Sequence, residues 1–275
     1  MIKTTIKLAA DTHVGYVRNN NEDSFILCSD LDVSDWHAEK TSLEVCLHEG
    51  GVLAVVADGM GGMMAGEVAS AIVIETIQNQ FTLERIKTAI NSDDQILQFI
   101  KEAVVKANEN IIAHGDSHPE TMGMGTTLVM AWIINNKAYI CWCGDSRCYV
   151  YNENRGFLQL SHDHSYVQEL VDKGQLSQEE MLSHPYANII THCLGDVGNA
   201  AESECHIYNM KEGDILLLCS DGLTTMCRDQ EIETIMKTNG HNPEKCCESL
   251  ISSALEAGGY DNVTVAVMEY NKPQG

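Results

Sequence analysis

The chain has 275 residues, 44% of them hydrophobic, and carries 40 acidic against 17 basic side chains for a formal charge of −23. That balance excludes nucleic acid as a default partner, because a phosphate backbone needs a basic face. No run reaches the ~18–20 apolar residues of a membrane span, and eleven scattered cysteines with no C-x-x-C spacing suit neither zinc nor a disulfide framework.

The opening MIKTTIKLAADTH lacks the apolar core of a signal peptide. The expected setting is therefore a reducing cytoplasm with free thiols. Residues 2–9 alternate and predict a first strand. Residues 12–24 are turn-rich and end on Glu22 and Asp23, with Arg18 just before them. A short strand is expected at 25–28. The acidic stretch 29–50 reads as a loop or irregular hairpin.

An apolar run at 52–57 stops at Asp58 and meets Gly59, Gly61, Gly62 and Gly66. This predicts a buried strand that delivers one carboxylate to a glycine-rich turn, where backbone can approach an ion or phosphate closely. An Asp-Gly strand end is ordinarily just a turn. What gives this one weight is the set of similar endings: NED at 21–23, GDSR at 144–147, SDG at 220–222 and YDN at 260–262.

A helix is expected from about Gly66, with Val68, Ala69, Ile72, Val73 and Ile77 on one stripe. A second starts at Ser92, boxed by Gln95 three residues on. The pattern then turns to period two. Strands 127–134 and 137–143 should pair across Asn135-Asn136, a turn that favours positive φ. Strands 148–151 and 157–160 follow, giving four antiparallel strands in a row. Short helices are expected at 166–173 and from Ser177, then strands 205–208 and 215–219 around the turn KEGD. Asp229 should cap a helix to Lys237, and Pro243 should open the last helix. Residues 263–269 close the chain as a strand. The expected architecture is α+β: two antiparallel sheets packed as a central sandwich flanked by helices, in one domain over 1–275.

If the strands lie side by side, Asp58, Asp221 and Asp261 converge on one rim, with Glu22 and Asp23 as a further acidic corner. Converging carboxylates need a counter-charge to stay ionised. A hard divalent cation, magnesium or manganese, suits oxygen ligands. Two cations sharing a carboxylate would activate a water, as in two-metal hydrolases. Arg18 could then hold two phosphate oxygens with its planar fork; taken alone it reads as a surface ion pair. His162-x-His164 is the nearest approach to a soft-metal site and reads mainly as a surface turn.

The motifs GYVRNNNEDS, VVADGMGG followed by AGEVAS, MGTTL ending at Leu128, CGDSRCY, HDHSYVQELVDKGQLSQEE followed by SHP, LLLCSDGL and GGYDNVTVAV run in order from about residue 8 to 269. Together they resemble the PPM (PP2C-like) metal-dependent serine/threonine protein phosphatases in their bacterial form. The resemblance implies that Asp58 bridges two metals, either Mn2+ or Mg2+. It implies that the Gly59 carbonyl and Glu22 serve the second metal, and that Asp221 and Asp261 serve the first. Asp23 would hold a metal-bound water and Arg18 the substrate phosphate. Asp145, with Asp221, would support a weaker third metal, and 161–195 would be a flap beside the site. The chain departs from its relatives at Met60 and Met63, where they carry His, and at His192, where they often carry Arg. A proton for the leaving alkoxide is then expected from metal-bound water.

The implied activity is hydrolysis of phosphoserine or phosphothreonine on proteins that a serine/threonine kinase has modified, by a monomer with no nucleic-acid or membrane partner. The cysteines should play no part in that chemistry. Two other readings stay open on residues alone: a regulatory phosphatase for an anti-sigma-factor antagonist, and a silent phosphoprotein-binding module. The retained acids weigh against the silent module.

Overall fold

The computed structural model describes residues 3–61, 65–181, 184–197 and 202–272. Its strands are β1 (Thr5–His13), β2 (Asp23–Asp30), β3 (Asp35–His37), β4 (Thr41–Cys46), β5 (Val52–Met60), β6 (Gly125–Thr126), β7 (Leu128–Ile134), β8 (Lys137–Cys143), β9 (Arg147–Asn152), β10 (Gly156–Gln159), β11 (Glu204–Asn209), β12 (Asp214–Cys219) and β13 (Val263–Asn271). They form two antiparallel sheets, ordered β10-β9-β12-β13-β1-β4 and β11-β8-β7-β5-β2-β3, with β6 paired to the end of β5. The α+β sandwich expected from the sequence is the observed architecture.

The apolar run of β5 explains the layering. Val52, Ala54 and Val56 face the core shared with the other sheet, beside Leu216, Leu218 and Met268. Leu53, Val55 and Ala57 face outward, under the helices α1 (Ala65–Gln80) and α3 (Asp93–Ser117). A strand covered on both faces needs no polar alternation, so it reads as a continuous hydrophobic segment. The other sheet is covered by α7 (Asp229–Asn239) and α8 (Pro243–Glu256), which bury Ile232, Met236 and Leu250 against Ile215, Leu217 and Val265.

Several helix ends follow the expected chemistry. Ser92 Oγ accepts from Gln95 N at 3.3 Å, and Asn242 Oδ1 accepts from Lys245 N at 3.2 Å. Asn135 and Asn136 take φ of 52° and 60°, as the β7–β8 hairpin requires. Asp229, however, is the first helical residue rather than the cap. Arg228 holds the cap position, and its N–H donates to Glu231. An additional helix, α2 (Leu83–Ala89), fills a stretch for which the sequence predicts nothing; its N-cap Thr82 makes no side-chain cap bond, so the local start signal is weak.

The main differences from expectation concern which sheet a strand joins. The four strands from 127 to 160 do not form one meander. β7 and β8 belong to one sheet, β9 and β10 to the other, and the chain crosses at Gly144 with φ +107°. Strands β11 and β12 likewise pair with β8 and with β9 and β13, not with each other. The acidic 29–50 stretch is a crossover too: β3 pairs β2, and β4 pairs β1 in the opposite sheet. Alternation gives the faces of a strand but not its neighbour. Strand β2 starts at Asp23 rather than 25, and β5 runs through Asp58 to Met60, which puts both acids inside the ladder.

One aromatic cluster ties the outer helices to the sheet. Phe81, Phe99 and Trp132 meet edge to face, with centroids 4.8, 5.2 and 5.9 Å apart, and Trp132 Nε1 donates to Gly50 O at 2.8 Å. Phe81→Ala should destabilise the fold by about 3–5 kcal/mol, through lost contacts and the cavity left behind. Urea unfolding followed by tryptophan fluorescence measures it.

Candidate metal centre

The rim is built where the sandwich core runs out. The strand residues that face the shared core keep their parity to the ends of the strands, and there they become polar. On β2 the series Leu27, Phe25 ends at Asp23; on β5, Val56 is followed by Asp58. Thr127 precedes β7, Ser146 precedes β9 and Ser220 follows β12, all at the same end. Antiparallel pairing sets Asp23 directly opposite Asp58. Three further acids, Asp145, Asp221 and Asp261, lie just past the strand ends, Asp221 as the first residue of the short helix α6 (Asp221–Thr224).

Hydroxyls and amides fix this ring. Ser220 Oγ donates to Asp23 Oδ2 at 2.7 Å and accepts from Thr264 N at 3.0 Å. Asp58 N donates to Thr127 Oγ1 at 3.0 Å, and that hydroxyl lies 2.7 Å from Ser146 Oγ. The Asp58 carbonyl accepts from Thr127 N and Thr126 Oγ1, at 2.8 and 2.9 Å. The tight glycines are functional in packing. A Cβ on Gly66 would meet Glu22 Oε2 at 2.8 Å, and one on Gly59 would meet Gly66 O at 2.1 Å. The Glu22 carboxylate and the Gly59 backbone are thereby pressed together.

The electrostatics are those of crowded acids. Burial first, then Asp23, Asp221 and Asp145, push the Asp58 carboxyl well above the ordinary range, and it shares a hydrogen bond with Asp221. Burial raises Asp23 to about 7, against the help of Ser220 and Thr264. Asp145, Asp221 and Glu22 are raised as well, each chiefly by burial. Arg18 is half-exposed, and its Nη2 donates to Asp261 Oδ2 at 2.7 Å. Among the described residues, two buried carboxylate oxygens, Asp23 Oδ1 and Asp145 Oδ1, find no donor. An unpartnered buried carboxylate oxygen is costly. A ring of acids with such oxygens fits a bound divalent cation.

The acids are spread around the rim rather than gathered into one tight cage. Among the described residues, the trio whose ligand atoms all fall within 4.8 Å of one another is Asp30, Asp32 and His48, on the far side of β2. Its oxygens already accept from Asp32 N and Gly50 N.

A cavity of about 300 Å³ opens beside Asp145, Asp221 and Asp261, walled by Val167, Met181 and Met226. Segment 161–195 supplies one wall through α4 (Tyr166–Asp172) and α5 (Gln178–Met181). His164 is not on a surface turn: it is buried, accepts from Gly144 N at 3.2 Å through Nδ1, and only His162 is exposed, beside Asp172. His192 turns from the rim to Glu202 Oε2, 3.1 Å away. Met60 ends β5, and Met63 lies outside the described residues.

Two structural supports escaped the sequence reading. Asn262 accepts from Glu22 N at 2.8 Å and donates to Val14 O and Asn20 O at 2.9 Å each, so one amide fastens the 14–22 loop to β13. Arg147 makes a forked pair with Asp163, at 2.9 Å from Nε and 2.6 Å from Nη2, and reaches Tyr149 Oη at 2.8 Å. That pair anchors the base of the flap segment to β9. The signal was present in YDN and GDSR, but a side-chain partner many residues away leaves no local trace.

A family model described as Protein phosphatase 2C matches residues 40–246. The chain is 36% identical over 222 residues to the serine/threonine phosphatase stp of Listeria welshimeri, covering 81% of this chain and 86% of that one. It is 32% identical over 273 residues to the serine/threonine protein phosphatase PstP of Mycobacterium tuberculosis, covering 98% of this chain and 46% of that one. The crystal structure of the M. tuberculosis serine/threonine phosphatase PstP/Ppp superposes with a TM-score of 0.80 at 32% identity, covering 98% of this chain and all of that one. A structure of the PstP catalytic domain in complex with two manganese ions gives 0.77 at 30% identity, over 98% and 100%. The chain belongs to the protein phosphatase 2C family.

Asn262→Ala removes three hydrogen bonds from a buried junction and should cost about 2–3 kcal/mol. Urea denaturation without metal measures this. Faster hydrogen exchange confined to 14–22 would mark the loop as the part released.

Proposed function

We propose that the rim is the active site of a protein-serine/threonine phosphatase that depends on divalent cations, in one catalytic domain over 1–275. The observation that carries this is the ring itself. Six buried or half-buried acids, Glu22, Asp23, Asp58, Asp145, Asp221 and Asp261, share one strand-end edge, and two of their oxygens find no protein donor among the described residues. The family membership and the manganese-bound relative support the same reading. Among the described residues no helix is long and apolar enough to cross a membrane.

Asp58 would be shared between two Mn2+ or Mg2+ ions, with Asp221 and Asp261 toward one and Glu22 and the Gly59 carbonyl toward the other. Asp23 would stand behind a coordinated water, and Asp145 with Asp221 would hold a weaker third ion. When bound, the cations supply positive charge that acidifies water and offsets phosphate charge.

The remaining work falls to the chain. Arg18 pairs with Asp261 at the rim. Its planar guanidinium would also fork two phosphate oxygens and orient the phosphoryl group. The hydroxyls of Ser220 and Thr127 keep Asp23 and Asp58 from moving when charge develops. The cavity beside the rim, between Met181 and Met226, would receive residues next to the phosphorylated one, and the 161–195 flap would shape it. The substrates would be phosphoproteins made by a serine/threonine kinase, met by a monomer.

Two measurements test this. A phosphothreonine peptide should be hydrolysed with manganese and not after chelation. Asp58→Asn should cut turnover by about a hundredfold or more while the metal-free protein melts no lower, since a repelled buried acid has been removed; full activity in the variant would sink the reading. Separately, Arg18→Ala should raise KM for the phosphopeptide by about tenfold or more and leave manganese affinity, read by calorimetry, unchanged or tighter because Asp261 loses its competitor.

A further inference from the structure

Cys141 and Cys205 lie outside everything the phosphatase reading uses. They stand directly opposite each other in the antiparallel β8–β11 pair, so both side chains leave the same face of the sheet. That face lies under α3. Cys141 is buried there, and Cys205, on the edge strand β11, is packed at its half-exposed border. Opposed residues of an antiparallel pair have Cα atoms about 4.5–5.5 Å apart, within the roughly 4.4–6.8 Å that a disulfide spans.

Among the described residues, no other pair of cysteines stands directly opposed on paired strands. Cys148 and Cys219 sit on neighbouring strands but one residue out of register, so Cys148 faces the shared core and Cys219 the outer helices. Cys246 and Cys247 are consecutive on α8 and both buried. The local chemistry also singles out Cys205. A hydrogen bond from the Cys141 thiol, and then Lys101 on α3, pull it below the ordinary range, whereas burial pushes the thiols of Cys28, Cys148 and Cys219 up. The more acidic, more accessible sulfur is the nucleophile.

We propose that Cys141 and Cys205 are a site of reversible oxidation, closing to a cross-strand disulfide on exposure to a hydroperoxide. The Cys205 thiolate attacks the peroxide O–O bond; an S–O bond forms, the O–O bond breaks and hydroxide leaves. The Cys141 thiol then attacks the sulfenic sulfur of Cys205. The S–S bond forms, the S–O bond breaks, and the thiol proton leaves with the oxygen as water. The two sulfurs together give up two electrons, which reduce one peroxide. A thiol reductant reverses the bond by exchange. The link staples β11 to β8, and residues 202–204, just before and at the start of β11, face His164 and His192 across a separate pocket.

The test uses the full chain. Purified protein is exposed to hydrogen peroxide, unfolded with an alkylating agent present, and mapped by mass spectrometry without reduction. The expected product is a peptide pair joined through 141 and 205, lighter by two hydrogens and separated by dithiothreitol. In Cys205→Ala, Cys141 should stay fully alkylatable. In Cys141→Ala, dimedone should trap Cys205 as its sulfenic acid. The half-buried position of Cys205 makes Cys205→Ala sufficient even if Cys141→Ala folds poorly. Linkage of Cys205 to Cys143 or Cys193 overturns the proposal, as does oxidation of other cysteines while 141 and 205 stay reduced. Neither result bears on the phosphatase reading, because the mapping needs no activity.

Discussion

The pairing of Asp23 with Asp58 across β2 and β5 is the constraint on which the rest of the centre depends. Two acids in register on adjacent strands share a face whether or not that is electrostatically comfortable. Here it is not: Asp23 is buried and Asp58 half-buried, and Asp221 and Asp145 crowd them further. The fold tolerates the conflict because the sandwich core secures both strands upstream. Each inward position from the strand middles to Phe25 and Val56 is apolar and closed. The stability of the core is thus the reason that a poor arrangement of like charges persists, and a persistent arrangement of that kind is what cations can use.

A second layer of contacts decides where the loops around the ring sit. Asn262 ties the loop carrying Arg18 to the start of β13, and Arg147 with Asp163 ties the base of the flap segment to β9. Burial alone would discourage a charged guanidinium at Arg147; Asp163 and Tyr149 more than offset it. Such a pair adds little net stability. Its effect is positional, since a forked Arg–carboxylate contact fixes distance and plane together. The acidic surface plays a different part. With 40 acids in the chain, most serve solubility, and the few at the rim matter through burial rather than through net charge.

How much was legible beforehand varied with the range of the interaction that decides each feature. The helix starting at Ser92, the Asn135-Asn136 turn and the α8 start at Pro243 depend on residues within a few positions, and these read correctly. The strands from 127 to 160 were found, but not their division between sheets, because period two is the same in either sheet. The rim acids were found through repeated strand endings and the family resemblance. The roles of Asn262 and Arg147 were not, since Asn262 binds Glu22 and Asn20, more than two hundred residues away. The His162-x-His164 pattern predicts a surface turn, whereas His164 is buried and accepts from Gly144 N.

By itself, then, the sequence determined most of the elements, though not α2, β3 or β4, together with the apolar faces and the identity of the acids, because those follow from local periodicity and side-chain chemistry. The tertiary structure alone decided that Asp23 faces Asp58, that Arg18 holds Asp261, that His192 turns away to Glu202 and that Cys141 meets Cys205. Each of these is a matter of register or packing between segments distant along the chain. No local pattern encodes which strand lies beside which; that is settled when the two hydrophobic faces close on each other.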